Sequence, residues 1–253
     1  LNKRIGLIIT LVATATLLGG CSSIENQEGT FYNLFVRPME WALESLGEAF
    51  NGNYGLAIIV ITVIIRLVLM PLMLKNYKNQ QAMKIKMDAL KPEMDEIQKK
   101  IKAAKDKDEQ MKLQQEMMGL YQKHGVNPLN MGCLPVIIQM PIIMGLYFSI
   151  RYSADVQAHQ FLWFNLGSPD IIMAFVAGAV YLFQARVSLW TMPEQQQQQM
   201  KMFIYMSPIM ITFISFTAMS ALPLYWAVSG ALLVIQTYIG RKFYYQHPEK
   251  AVE

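Results

Sequence analysis

Arg66 is the one charged residue in the apolar run from Tyr54 to Leu74. A charge at bilayer depth costs roughly 3 kcal/mol on insertion scales. What a guanidinium offers in exchange is electrostatic: five N–H donors in a planar fork, suited to a carboxylate or a phosphate. No Asp or Glu lies in the interior of any long apolar segment, so the chain supplies no counter-ion at that depth. Arg66 is eight residues from the end of its run, roughly 12 Å deep at 1.5 Å per residue. A snorkelling side chain reaches roughly half that distance unless water comes to meet it. The cation therefore points to a hydrated cavity that receives something from outside the fold.

Other polar groups punctuate the apolar segments. Thr62 is one turn from Arg66 on the same face. Gln139 is near mid-depth in the second run, Gln184 and Gln236 are near the corresponding ends of two others, and Ser229 shares a face with Gln236. Each amide can be read as interhelical glue worth about 0.6 kcal/mol, or as cavity lining beside Arg66. Arg66, Thr62, Gln139, Gln184, Ser229 and Gln236 are the candidate groove residues. His124, His159 and His247 lie far apart, and no metal-ligand cluster, phosphate loop or nucleophile triad is present. The expectation is a protein that is not an enzyme and needs no cofactor or metal. Nothing in the pattern points to DNA.

Those residues need helices to hold them. The chain has 253 residues, 53% hydrophobic and only 16% charged, against the quarter usual for soluble domains. Five apolar runs, about 54–74, 129–150, 170–190, 203–220 and 222–240, are each long enough for a hydrocarbon core of about 30 Å. The expected fold class is an all-α integral membrane protein with five transmembrane helices. Pro71, Pro135, Pro141 and Pro208 lie within these runs, and each removes a backbone donor and bends its helix, which can leave a groove.

The amino-terminal residues 1–20 read as a signal peptide: Lys3-Arg4, an apolar stretch, then Leu18-Gly19-Gly20 before Cys21. That spacing resembles the lipobox of bacterial lipoproteins and implies lipidation of Cys21. Residues 21–53 form an extracytoplasmic segment. Within it Phe31, Leu34, Phe35, Met39, Ala42, Leu46 and Phe50 keep helical spacing, which predicts an outer interfacial amphipathic helix, kinked or broken at Pro38. The core is 54–240, and 241–253 is a short cytoplasmic tail.

Charge sets the orientation. Residues 22–53 carry Arg37 against five glutamates, while 75–128 carry twelve lysines. Basic loops face the cytoplasm, so the amino end is outside and both 75–128 and the carboxyl end are inside, as five crossings require. Within 75–128, Met83, Met87, Leu90, Met94, Ile97, Ile101 and Ala104 form a heptad stripe that Leu113, Met117, Leu120 and His124 continue. This predicts a cytoplasmic antiparallel helical hairpin turning at Asp106-Lys107-Asp108, with a first arm of about 28 residues interrupted at Pro92 and a second of about 16. Its surplus of basic charge suits anionic lipid or ribosomal RNA, or only keeps a solvated hairpin soluble. Gln195 to Gln199 read as a connecting loop.

Residues 127–147, from Asn127-Pro-Leu-Asn-Met-Gly through Pro135, Gln139 and Pro141 to Tyr147, resemble a signature of the YidC family of membrane-protein insertases. Leu222-Pro-Leu-Tyr225-Trp226-Ala-Val-Ser229, with Gln236 following, resembles another. The likeness covers essentially the whole chain after Cys21. With the lipobox and short tail it is closest in kind to the Gram-positive lipoprotein branch, which includes sporulation-associated members. The resemblance implies a plasma-membrane insertase and chaperone. Its hydrophilic groove would open to the cytoplasm and to lipid, be closed to the outside, and carry Arg66. Implied partners are nascent membrane proteins and membrane lipid, with the ribosome, the signal recognition particle receptor and the secretion channel as further candidates. The short tail departs from relatives that bear a basic, ribosome-binding one. Competing readings are a small-anion transporter, which would want inverted repeats, and a lipid-anchored scaffold, which leaves the cost of Arg66 unexplained.

Overall fold

The structure is a computed structural model. It describes residues 28–104, 106–125, 133–190, 192 and 194–244, the side chains of 133–138, 194–196, 198 and 199 excepted. Cys21, the signal peptide, His247 and the tail beyond Tyr244 lie outside the described residues.

The described chain is almost wholly helical. α1 spans Arg37–Ala49, after a short helical turn Gly29–Phe31 and a π-helical stretch Tyr32–Val36. Pro38 sits in the first turn of α1, directly after the π-helical stretch. The wider π turn thus passes into α-helix at the proline expected to break it. Tyr32 reaches across this junction and donates to Glu40 at 2.6 Å. Burial, and the bond to that carboxylate, push its phenol up to about 12.

The apolar face of α1 is turned onto the protein. Leu43 is buried, and Met39, Ala42, Leu46 and Phe50 pack against the main core. Leu34 and Trp41 instead point outward, at 62% and 70% exposure. The periodicity expected to face lipid mostly seals one end of the bundle.

α2 runs unbroken from Tyr54 to Ala103, 50 residues or about 75 Å. Asn53 caps its start, its side chain accepting from the Leu56 N–H at 3.0 Å. The first apolar run and the first arm of the hairpin are therefore one helix. Pro71 and Pro92 lie inside it without ending it: each removes one donor, and the i→i−4 bonds on either side carry the helix through. α3, Lys107–Lys123, follows after a three-residue connection and folds back. Met87, Leu90 and Met94 are buried there, with Met83, Leu120 and Tyr121 packed on them. α3 itself has no fully buried residue.

α4 is Cys133–Tyr152 and α5 is Ala154–Ala158. A miniature antiparallel hairpin follows, β1 Gln160–Phe161 and β2 Phe164–Asn165. α6 is Ile171–Leu189, α7 Glu194–Ser215 and α8 Ala221–Tyr244. Gln195 to Gln199 open α7 instead of forming a loop; glutamine is a good helix former, and the run contains neither Gly nor Pro.

Side-chain pairs give the helix directions. Arg66 meets Ser229 and Tyr77 lies against Gly240, so α2 and α8 run parallel. Tyr181 lies by Gly230 and Trp190 by Tyr238, which makes α6 parallel to α8. Phe175 meets Phe216 and Gly178 meets Thr212, which sets α7 antiparallel to α6. Among the described residues, α2, α6 and α8 are each long and apolar enough to cross a membrane, and Met200–Ser215 is a shorter apolar helix.

Candidate functional site

α2 delivers Arg66 and α8 delivers its acceptor. The Arg66 Nε–H donates to Ser229 Oγ at 3.1 Å, and an Nη2–H donates to the same oxygen. Among the described residues the guanidinium donates to no other group. The ionisable groups that act on it are two phenols, Tyr225 and Tyr181, with no carboxylate among them. Tyr225, one turn before Ser229 on α8, has Ser229 and Gln139 as polar neighbours. The side chains of α2, α4, α6 and α8 thus converge on one cation and a wall of hydroxyl and amide groups. Arg66 itself is half-buried.

The six residues expected to line one groove fall into different places. Arg66, Ser229 and Gln139 come together. Thr62 does not present its hydroxyl to them: it is buried and donates to the Ile58 carbonyl at 2.6 Å, inside its own helix. Gln184 and Gln236 lie further along α6 and α8, in a cleft of about 270 Å³ shared with Asn76, Gln80, Ser188 and Thr237. Gln184 donates to Ser188 at 2.7 Å. From Ser229 to Gln236 is seven residues, about 10 Å of helix.

Sequence reasoning missed Tyr181, Tyr225, Asn76 and Gln80. Tyr225 had a visible signal, its i, i+4 relation to Ser229. Asn76 and Gln80 were hidden because the polar run after Leu74 reads as the root of a separate hairpin, whereas α2 carries its face straight through. His159 has its Nδ1 2.6 Å from the Asp155 carbonyl and its ring 4.9 Å from that of Tyr54. Among the described residues no cluster of three His, Cys, Asp or Glu could hold a metal.

These features define a multi-spanning helical membrane protein with an arginine presented from a polar interior wall. The model of the 60Kd inner membrane protein family matches residues 46–247. The chain is 48% identical to the membrane protein insertase YidC 2 of Listeria monocytogenes over 98% of this chain and 91% of that protein. It is 46% identical to the membrane protein insertase YidC of Staphylococcus haemolyticus over 99% and 89%. A crystal structure of an active YidC insertase with its first transmembrane domain resolved superposes with a TM-score of 0.61 at 26% identity. That superposition covers 97% of this chain and 54% of the other, so this chain spans about half of that protein. The chain belongs to the YidC family of membrane protein insertases, proteins that are not enzymes, and it is a multi-pass plasma-membrane protein.

Proposed function

We propose that this protein receives nascent membrane proteins at the Arg66 wall and assists their insertion and folding. The observation that carries the proposal is the guanidinium held by a neutral hydroxyl, with no acid among the ionisable groups acting on it. A carboxylate arriving on a substrate would meet a cation already in place. At 4 Å such a pair is worth about 4 kcal/mol at an effective dielectric of 20, against about 1 kcal/mol in bulk water. The cleft holding Gln184 and Gln236 would carry amides along the path toward the hairpin end and shorten the apolar barrier. Burial of the substrate's apolar span in lipid, at about 25 cal/mol per Å², would then drive release. A membrane potential positive outside adds about 2.3 kcal/mol per acidic group per 100 mV.

In this reading α2, α4, α6, α7 and α8 cross the membrane. The directions of α2, α6, α7 and α8 fit five crossings, with the residues before α2 outside and the α2–α3 hairpin and the carboxyl end in the cytoplasm. Cys21 would anchor the outer end through lipid. The hairpin would meet the ribosome, the signal recognition particle receptor or the secretion channel.

Arg66→Ala will impair insertion of substrates with acidic translocated tails while sparing those with neutral tails, and Arg66→Lys will keep much of the activity. Protease protection of the tail in proteoliposomes measures this. Equal loss with both tails would refute capture of acidic groups.

A further inference from the structure

We infer that the β1–β2 turn is a membrane-interface anchor that seats Leu162 and Trp163 in the lipid headgroup region at the end of the bundle opposite the helical hairpin. The turn breaks two local rules. A two-residue β-turn with positive φ at its first central residue favours glycine there, and Leu162 holds φ at +55°. Turn tips are ordinarily Gly, Asn, Asp or Ser, yet Leu162 and Trp163 are 72% and 55% exposed. Strained and exposed apolar residues persist where function holds them.

The turn is also rigid. Phe161 and Phe164 pair across it and point inward. Phe164 is buried, and Phe161 fills the space left by Gly55, where an added Cβ would lie 2.1 Å from its ring. Ala221 N–H donates to the Leu166 carbonyl and Ser220 to that of Ser168, which ties the base of the turn to the start of α8. Leu162 and Trp163 are held outward on a fixed platform.

The occupant follows from what the tip adjoins. The indole N–H of Trp163 donates to Asp170 at 3.4 Å, and Asp170 caps the start of α6 by accepting from Met173 at 2.7 Å. The ring therefore sits at the level where an apolar span begins. From there Ile171, Ile172, Phe175, Val176, Leu182 and Phe183 form an exposed stripe down α6, the face a membrane helix turns to lipid. An indole with its polar edge tied to a helix cap and its body outward is the arrangement of interfacial tryptophans. The inference needs only a membrane-embedded chain and does not depend on Arg66.

The test compares the full-length protein with Trp163→Phe in phosphatidylcholine–phosphatidylglycerol vesicles. Tryptophan quenching is read with lipids brominated near the headgroup and, separately, with aqueous iodide. Trp163→Phe should remove a share of fluorescence that bromolipid quenches and iodide does not. Loss of an iodide-quenched share would place the residue in water. Loss of a share that neither reagent quenches would place it under protein, such as a second copy. Either result overturns the inference. In detergent, Leu162→Gly should unfold at the same or a higher temperature than the parent. A lower temperature would make Leu162 a packing residue instead.

Discussion

The two ends of this helical bundle are built differently. At one end, residues 36–61, 146–166 and 221–227 contribute Val36, Leu43, Ala57, Ile58, Leu146, Ile150, Val156, Leu166 and Ala221, none more than 1% exposed. α1 lies over that end and the β-turn plugs it. At the other end, residues 73–80, 184–192 and 233–237 surround a cleft where Asn76, Gln80, Gln184, Gln236 and Thr237 stand among Met73, Tyr77, Met192 and Leu233. The same three helices, α2, α6 and α8, pass through both. Nothing about helices as such makes one end tight and the other hollow. The difference is side-chain choice: one end buries a continuous apolar cluster, whereas at the other amides stand among the apolar residues around a cleft. A pathway wet from one side only needs such asymmetry, and Arg66 sits between the two regimes.

A matched pair of substitutions tests the asymmetry with the largest expected effect. A Cβ at Gly55 would meet the Phe161 ring at 2.1 Å, and one at Gly240 would meet the Tyr77 ring at 2.8 Å. The Gly55 contact is the tighter of the two; the Tyr77 ring, itself buried, borders the cleft, while Phe161 packs on the core of the sealed end. Gly55→Ala should therefore cost at least the roughly 1–3 kcal/mol of core overpacking, and Gly240→Ala clearly less, both read from unfolding temperatures in detergent. Equal losses would mean that the two ends are packed alike.

Much of this plan was visible in the residues. The apolar runs, the unpaired cation and the return of the chain after Asp106 follow from composition and period, because burial periodicity is a local signal. The long-range packing was not visible. No pattern in residues 151–169 announces that Phe161 will occupy the space beside Gly55, since that depends on which helix ends are brought together. The apolar stripe of α1 was legible but its target was not: periodicity shows that a face is buried, not whether lipid or protein covers it. Likewise Thr62 shares a helix face with Arg66, yet burial and a bond to Ile58 withdraw it from the site.

An intermediate effect is expected at the junction of the two regimes. Ser229→Ala removes the hydroxyl that accepts from Arg66. If the wall is wet, water takes its place and the loss of stability stays near the average of about 0.6 kcal/mol for intramembrane hydrogen bonds. Insertion of acidic-tailed substrates should then persist. A loss of about 3 kcal/mol or more, the scale of an uncompensated buried charge, would place Arg66 in a dry interior and make the hollow end shallower than the comparison requires.

The smallest effect is expected at the rim of the hollow end. Trp190, at the end of α6, accepts through its carbonyl from Lys84 Nζ at 3.2 Å, which joins it to the part of α2 that enters the hairpin. The Arg241 guanidinium lies 5.2 Å from the centre of its ring, and Tyr238 meets that ring edge-on at 5.7 Å. The ring is 42% exposed, so the cation–π contact is worth about 0.5–1 kcal/mol. Trp190→Leu keeps the backbone carbonyl and an apolar body but removes the aromatic face. The global unfolding temperature should move little. Amide exchange should rise in residues 184–189 and 233–241, where the rim loosens, and stay unchanged in 54–61, because local opening is set by local contacts. A rise spread evenly over both ends would show that they open as one unit, and the hollow end could then not yield to a substrate while the other remained shut.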